Sequence, residues 1–266
     1  MGRSRTTERV DLKNERIAHE NERIAPDTMT PWKKPIVASK SVAEVVLAKA
    51  RYYKYRTRWG RDAPRPYEIV RVDPDRIRHC TLPSLMGQLD LSPYGSHVVG
   101  GDWDRRERHD DVWYTRAFDP PVIAAFADHE LYRSMRAHFL DGVPWEETEW
   151  YRWILSNQGT VGQYATKEMM DDRLDAVDSL YESVRSEGYK TQGELERAEN
   201  PPLGGSTFPC PEHHEIDVNV GRDGELFFNF NGRHRLAISK ILELEEIPVR
   251  VFARHESFQA ADGRTL

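Results

Sequence analysis

A run near the C-terminal end, residues 215–255, constrains the fold of this chain more than any other feature. The segment EIDVNV alternates apolar and polar residues with the period of a strand, and Asp223-Gly224 has the residue types that a tight hairpin turn requires. A return strand, a helix pattern and a closing strand follow as ELFFNFN, LAISKILEL and IPVRVF. The sequence therefore predicts a hairpin that continues directly into a helix and a third strand.

The turn between the return strand and the helix carries Gly232, Arg233, His234 and Arg235. The first N–H groups of a helix have no intrahelical partner and lie at the positive end of its dipole, so anions are favoured there. Gly232 permits close backbone approach, and the arginines add forked donors that fit phosphate oxygens. His234 is of a residue type that exchanges protons near neutral pH. We expect an anion or phosphate site at this turn, with His234 as a candidate catalytic residue.

A purely structural explanation of this turn is also open. Arginine-rich turns often pair with acidic side chains, and Glu243, Glu245 and Glu246 lie just downstream. Phosphoryl transfer would in addition need oxygen ligands for Mg²⁺ and a carboxylate that orients the acceptor. Asp217 is the nearest candidate for a catalytic carboxylate, provided that its side of the strand lines a cleft and is not simply solvated.

The same residues resemble the ParB/sulfiredoxin superfamily, in which a hairpin leads into a Gly-x-His-Arg or Gly-Glu-Arg-Arg turn, a helix and a closing Ile-Pro-Val strand. The matching stretch is GRDGELFFNFNGRHRLAISKILELEEIPVRV. Upstream, YEIVRVDPDRI is similar to the family's entry strand and DSLYESVRSEGY to its helix that ends in glycine. The resemblance implies an α/β (α+β) fold, with a small mixed sheet, a strand-turn-helix-strand core and a helical insertion.

Members of this superfamily bind nucleotides with the Gly-x-x-Arg turn against the phosphates. The resemblance thus implies that Gly232, Arg233, His234 and Arg235 bind a nucleoside triphosphate with Mg²⁺. Sulfiredoxins carry their catalytic cysteine, and ParB partition proteins a glutamate, where this chain has Arg233, which argues against sulfinic acid reduction and centromere binding. The Gly-x-His-Arg form is more similar to the free-amino-acid kinases of the superfamily. The expected activity is an NTP-dependent phosphotransferase or NTPase.

Pattern and resemblance together divide the chain into intervals. Residues 1–35 are polar and punctuated by proline, which is typical of a disordered or docking tail, and residues 256–266 form a second tail. Residues 36–66 indicate a helix and a linker. The ParB/sulfiredoxin-like domain spans residues 67–255, with a mostly helical insertion at about 83–175.

Glycine and proline mark the predicted helices in the middle of the chain. Gly142 ends one helix pattern, Pro144 opens the next, and Gly188 ends a third, which begins near Met169. Residues 76–115 hold many Gly, Pro and charged residues and give no clear pattern. We expect that stretch to be loop-like.

Charge argues against a dedicated nucleic-acid binder, because the 266 residues carry a formal net charge of −6 and the pI is about 6.0. The basic, aromatic stretch at 49–61 is most simply the solvated face of an amphipathic helix. No apolar run approaches the roughly 18 residues of a membrane span, and the first residues lack the apolar core of a signal peptide. We expect no membrane segment and a cytoplasmic location.

The two cysteines, Cys80 and Cys210, are too few for a disulfide framework. Cys210, His213 and His214 lie within five residues of one another, and with His79 and Cys80 they offer the nitrogen and sulfur ligands that zinc prefers. Their spacing matches no standard zinc motif. An ordinary loop without a metal is the expectation.

Two other functions are open from the sequence. One is a non-enzymatic regulatory or scaffold module with a vestigial pocket, whose helical insertion binds a protein partner through exposed rings of Trp145, Trp150, Tyr151 and Trp153. The other is a ParB-like nuclease or nucleic-acid binder that uses residues 49–61. Exposure of the four rings tests the first, and salt-sensitive binding to single strands tests the second.

Overall fold

The computed structural model describes most of the chain downstream of residue 32. Most of the predicted N-terminal tail, 1–35, lies outside the described residues. The described residues are 33–106, 108–109, 122–156, 166–197, 210–261 and 266.

The described residues contain an eight-stranded mixed sheet, which confirms the predicted α+β class. The strand order is β1-β8-β6-β7-β2-β5-β4, and β3 pairs with β8 off this path. The strands are β1 (Ile69–Val72), β2 (Ile77–Leu82), β3 (His97–Val99), β4 (Arg108–His109), β5 (Val122–Ala125), β6 (Ile216–Val220), β7 (Leu226–Phe228) and β8 (Ile247–His255).

Helices surround this sheet. Short 3-10 turns join several of them. The α-helices of the described residues are α1 (Lys33–Trp59), α2 (Leu85–Leu89), α3 (Glu130–Asp141), α4 (Glu149–Ser156), α5 (Lys167–Glu187), α6 (Gln192–Arg197), α7 (Arg233–Ile241) and α8 (Glu256–Ala260).

The C-terminal unit folds as its sequence pattern predicts. β6 and β7 form an antiparallel hairpin, and the amide N of Gly221 donates to the carbonyl of Glu225 over 2.9 Å to close the turn. α7 follows β7, and β8 then returns parallel to β6, with Asp217 opposite Arg250. The N-terminus of α7 consequently lies beside the start of β6.

The stretch that looked loop-like, 76–115, instead supplies a strand to the middle of the sheet. β2 pairs in parallel with β7 on one side and antiparallel with β5 on the other. Its sequence, IRHCTL, is short and lacks a strict alternation of buried and exposed residues. Partners about 45 and 150 positions away stabilise it, so local periodicity gave no signal.

The two faces of the sheet differ in polarity. One face is apolar and packs on α3, α4, α5 and α7, with Val218 and Val251 in its core. The opposite face carries Asp217, Asn219 and Arg250, which are 2%, 0% and 1% exposed. The polar side of β6 is therefore neither solvated nor open to a cleft, because the segment that includes α2 covers it.

The helices in the middle of the chain largely begin and end near the glycine and proline residues that predicted their bounds. Gly142 and Gly188 are the C-caps of α3 and α5 at positive φ, as predicted. Pro144 precedes a 3-10 turn, Trp145–Glu147, and α4 begins only at Glu149. This part of the chain brings α3, α4 and α5 against the apolar face of the sheet, next to α7.

Candidate anion site

Gly232 is the N-cap of α7 and has a φ of +84°, a region that other residues adopt at a steric cost. A Cβ built on Gly232 would lie 2.7 Å from Cγ1 and 2.9 Å from Cα of Ile216. Glycine is thus required both for the backbone turn and for the close approach of α7 to β6. As an N-cap it supplies no side chain to the first N–H groups of the helix.

Arg235 is held in an ion pair at the start of β6. Its Nη1 lies 3.1 Å from Oε2 of Glu215 and donates to the hydroxyl of Tyr189 over 3.0 Å, and its Nη2 donates to the carbonyl of His214. Burial raises the pKa of Glu215, and the guanidinium of Arg235 acts in the opposite direction. The guanidinium therefore neutralises a buried carboxylate of the chain itself.

Asp217 forms a second, fully buried pair. Nε and Nη2 of Arg250 donate to its two carboxylate oxygens over 2.6 and 2.8 Å. The remaining Nη1 of Arg250 is 2.8 Å from Nδ1 of His213 and 3.2 Å from the carbonyl of Pro93. Asp217 thus lies beneath the turn, on the covered face of the sheet, and both of its oxygens are engaged.

Arg233 and His234 are the first two residues of α7. Burial lowers the pKa of Arg233 to about 9, which still leaves its guanidinium charged at neutral pH. His234 is 8% exposed, and its ring lies edge-on to Trp150 with the ring centroids 6.5 Å apart. Its Nε2 atom is buried and makes no hydrogen bond to any residue that the structure describes.

Four basic side chains lie near His234. Burial lowers the pKa of His234 well below its ordinary value, and Arg233, Arg173, His129 and Arg235 lower it further. The imidazole is therefore neutral at physiological pH. The sequence suggested proton exchange near neutral pH, whereas these surroundings favour a neutral ring that donates or accepts a hydrogen bond.

Sequence reasoning missed Arg173 and His129. Arg173 lies on α5, beside the buried positions Met170 and Leu174, and His129 caps the N-terminus of α3. A charged residue next to an apolar stripe is the only local signal that Arg173 offers. Its proximity to His234, which is 61 positions away, depends on how α5 packs against α7.

The cysteine and histidine positions do not assemble into a metal site in the part of the chain that the structure describes. Cys80 is buried, and its thiol donates to the carbonyl of Ala124 over 3.4 Å. Cys210 lies beside Tyr67, and burial raises the pKa of its thiol. His213 stacks on Tyr94 with ring centroids 5.1 Å apart. Cys80 thus packs within the sheet on β2, whereas Cys210 and His213 pack in the segment that precedes β6.

Two surface concavities formed by described residues lie away from the turn. One, of about 200 Å³, is lined by the β6–β7 hairpin and by residues Asp104 and Arg106. The other, of about 570 Å³, lies between Asp75, Tyr132 and Lys240. Neither includes Gly232 or the three residues that follow it.

Comparison with protein-family models, with curated proteins and with solved structures finds no match to this chain. Among the helices of the described residues, none is both long and apolar enough to cross a membrane. The functional argument therefore depends on the geometry and charge around α7.

Proposed function

We propose that this protein binds a nucleotide through its phosphates at the N-terminus of α7, and that the bound nucleoside triphosphate, with Mg²⁺, undergoes phosphoryl transfer or hydrolysis. The observation that carries the proposal is the concentration of positive charge at this one helix end. Arg233 and Arg173 lie close enough to the buried ring of His234 to act on its pKa. The helix dipole adds further positive potential at the same place.

The chemistry of this helix end fits a phosphate group. Backbone N–H groups at a helix N-terminus bind phosphate oxygens, and guanidinium groups add paired donors. Gly232 has no side chain to compete for those N–H groups. The resemblance to nucleotide-binding ParB/sulfiredoxin proteins supports the same ligand at the same four residues.

The charged partners of each residue in the turn indicate its role. Arg235 already neutralises Glu215, so its guanidinium is the weaker candidate for phosphate contact. His234 serves as a neutral hydrogen-bonding group. Asp217 is engaged by Arg250, so we assign no acceptor-orienting or Mg²⁺-binding role to it in this arrangement.

The test is a thermal-shift panel of ATP, CTP, GTP and ADP, each with and without Mg²⁺. Ligand at about a hundred times its Kd should stabilise the protein by roughly 2.7 kcal/mol. Arg233→Gln should reduce the shift, whereas Arg185→Gln should not, because Arg185 is 60% exposed on α5 and pairs with Glu182. Arg235→Ala is a poorer probe, since it would leave Glu215 buried without its cation. The absence of a shift with every nucleotide in the wild-type protein would overturn the proposal.

The scaffold alternative has less support from this structure. Trp145, Trp150 and Tyr151 are 7%, 1% and 2% exposed, and they belong to the core beneath the helical layer. Trp153 is only partly buried. Three of the four rings that were expected to contact a partner are thus buried in the hydrophobic core.

A further inference from the structure

Helix α1 packs through one side on the loop that leads into β3. Ala48 is 2% exposed on that side, and a Cβ built on Gly95 would lie 2.8 Å from the Cβ of Ala48. Nη1 of Arg51 donates to the carbonyl of Tyr94 over 3.0 Å in the same contact. The inner side of α1 is therefore closely packed against the rest of the protein.

The opposite side of α1 exposes a stripe of apolar side chains. Val42, Val46, Leu47 and Tyr53 are 60%, 59%, 55% and 69% exposed. With about 100° of rotation per residue, Val42, Val46 and Tyr53 fall within about 40° of one another, and Ala48 falls on the far side of the helix. The other exposed large apolar side chains of the described residues occur one to an element, on β1, α2, α3, α4 and α5. Single exposed apolar residues are ordinary, whereas a stripe of them indicates an interaction surface.

The charge of α1 restricts what can cover this stripe. The helix holds eight Lys and Arg residues and a single acidic residue, Glu44, which already accepts a hydrogen bond from the hydroxyl of Ser92 over 2.6 Å. A second copy of α1 laid against the stripe would oppose like charges. The occupant should therefore bring apolar side chains together with acidic ones.

The sequence that precedes α1 has this composition and a matching period. Three copies of Glu-Arg-Val or Glu-Arg-Ile recur at a spacing of seven residues. They are residues 8–10, 15–17 and 22–24. Seven residues make about two helical turns, so the apolar residue of each copy would share one side of a helix. Val46 and Tyr53 have the same spacing on α1, and residues 8–25 include five acidic residues.

We propose that residues 8–25 bind as a helix along the exposed stripe of α1 in the same chain, antiparallel to it, with Val10, Ile17 and Ile24 against the stripe. Seven residues, 26–32, connect the two segments. Fully extended, they reach about 23 Å, whereas the axes of packed helices lie about 8 to 10 Å apart, so the connection is long enough for the chain to turn back. The pairing removes the apolar stripe of α1 from water.

The experiment measures how fast Val46→Cys is alkylated by iodoacetamide in the full chain. Mass spectrometry of the peptides reads Cys80 and Cys210 separately. Val46→Cys is compared alone and together with Ile17→Asp/Ile24→Asp. The two aspartates should release the segment and speed alkylation at position 46 by at least about tenfold, because docking would bury their charges. Ile17→Leu/Ile24→Leu should keep the slow rate.

Leu140→Cys is the matched control. Leu140 is 51% exposed on α3, so its alkylation rate should be the same with and without Ile17→Asp/Ile24→Asp. Circular dichroism and urea midpoints check that each variant folds. Light scattering gives the molecular mass at low and high protein concentration.

The outcomes identify the occupant of the stripe. Slow alkylation at position 46 that depends on Ile17 and Ile24, but not on protein concentration, supports the proposal. If Val46→Cys is alkylated equally fast with and without Ile17→Asp/Ile24→Asp, residues 8–25 do not cover the stripe and the proposal is wrong. Protection that appears only at high concentration, together with a doubled mass, would assign the stripe to a second copy and would also overturn it.

Discussion

The two sides of the α7 turn use the same residue types in opposite ways. On the sheet side, Arg250 and Arg235 pair with Asp217 and Glu215, so each cation has a buried carboxylate against it. On the helical side, Arg173 has no such partner among the described residues, and the groups that lower the pKa of His234 are all basic side chains.

This difference distinguishes a structural arginine from a candidate ligand-binding arginine. A buried cation costs several kcal/mol unless it is paired, so Arg250 is explained by Asp217. A cation without a carboxylate partner near a helix N-terminus is a candidate for anion binding. Residue type alone does not distinguish the two cases.

The largest effect on stability should come from disrupting the ion pair between Asp217 and Arg250. Asp217→Asn would leave Arg250 buried and charged with no carboxylate, and removal of one member of such a pair costs roughly 3 to 5 kcal/mol. The free energy of unfolding in urea would measure the loss. Asp217→Asn/Arg250→Met removes both charges and should recover much of the loss. A single variant within about 1 kcal/mol of wild type would contradict the structural role of the pair.

The fold was predictable where local pattern and packing agree. Alternation in EIDVNV, the Asp223-Gly224 turn and Gly188 each specify a structure within a few neighbouring residues, and the structure has all three. β2 was missed because its partners, β5 and β7, are distant in sequence and its six residues show no clean period.

The site was predictable only in part. Gly232 and the helix end followed from the local motif, but which cations are neutralised depends on contacts between distant elements. Arg235 meets Glu215 through the packing of α7 on β6, and Arg173 approaches His234 through that of α5 on α7. A motif gives the residues of a turn, whereas charge balance at the turn is a tertiary property.

An intermediate effect on stability should appear as a pH dependence that His129 causes on the helical side of the turn. His129 is 5% exposed, and burial, with a further contribution from Arg133, lowers its pKa to about 4 from an ordinary value of 6.5. Between these two values the unfolded chain binds a proton that the folded protein does not, so the free energy of unfolding falls as the pH falls. At pH 5 this group alone should cost about 2 kcal/mol relative to pH 7.5.

His129→Asn isolates that contribution. Nδ1 of His129 accepts a hydrogen bond from the amide of Leu131 at the start of α3, and asparagine is an equally good N-cap. Urea unfolding at pH 7.5 and pH 5 should therefore show a smaller loss in the variant than in the wild type, by about 2 kcal/mol. Identical losses in the two proteins would show that His129 protonates readily in the folded state.

The smallest effect on stability should come from Arg173→Gln. Because Arg173 makes no ion pair or hydrogen bond with the residues that the structure describes, its replacement breaks no polar contact, and the free energy of unfolding without ligand should stay within about 1 kcal/mol of wild type. Removal of an uncompensated charge beside Arg233 and His234 favours a slight gain. Urea unfolding at pH 7.5 measures the difference. A loss as large as that of Asp217→Asn would mean that Arg173 is a structural arginine like Arg250, and the contrast between the two sides of the turn would disappear.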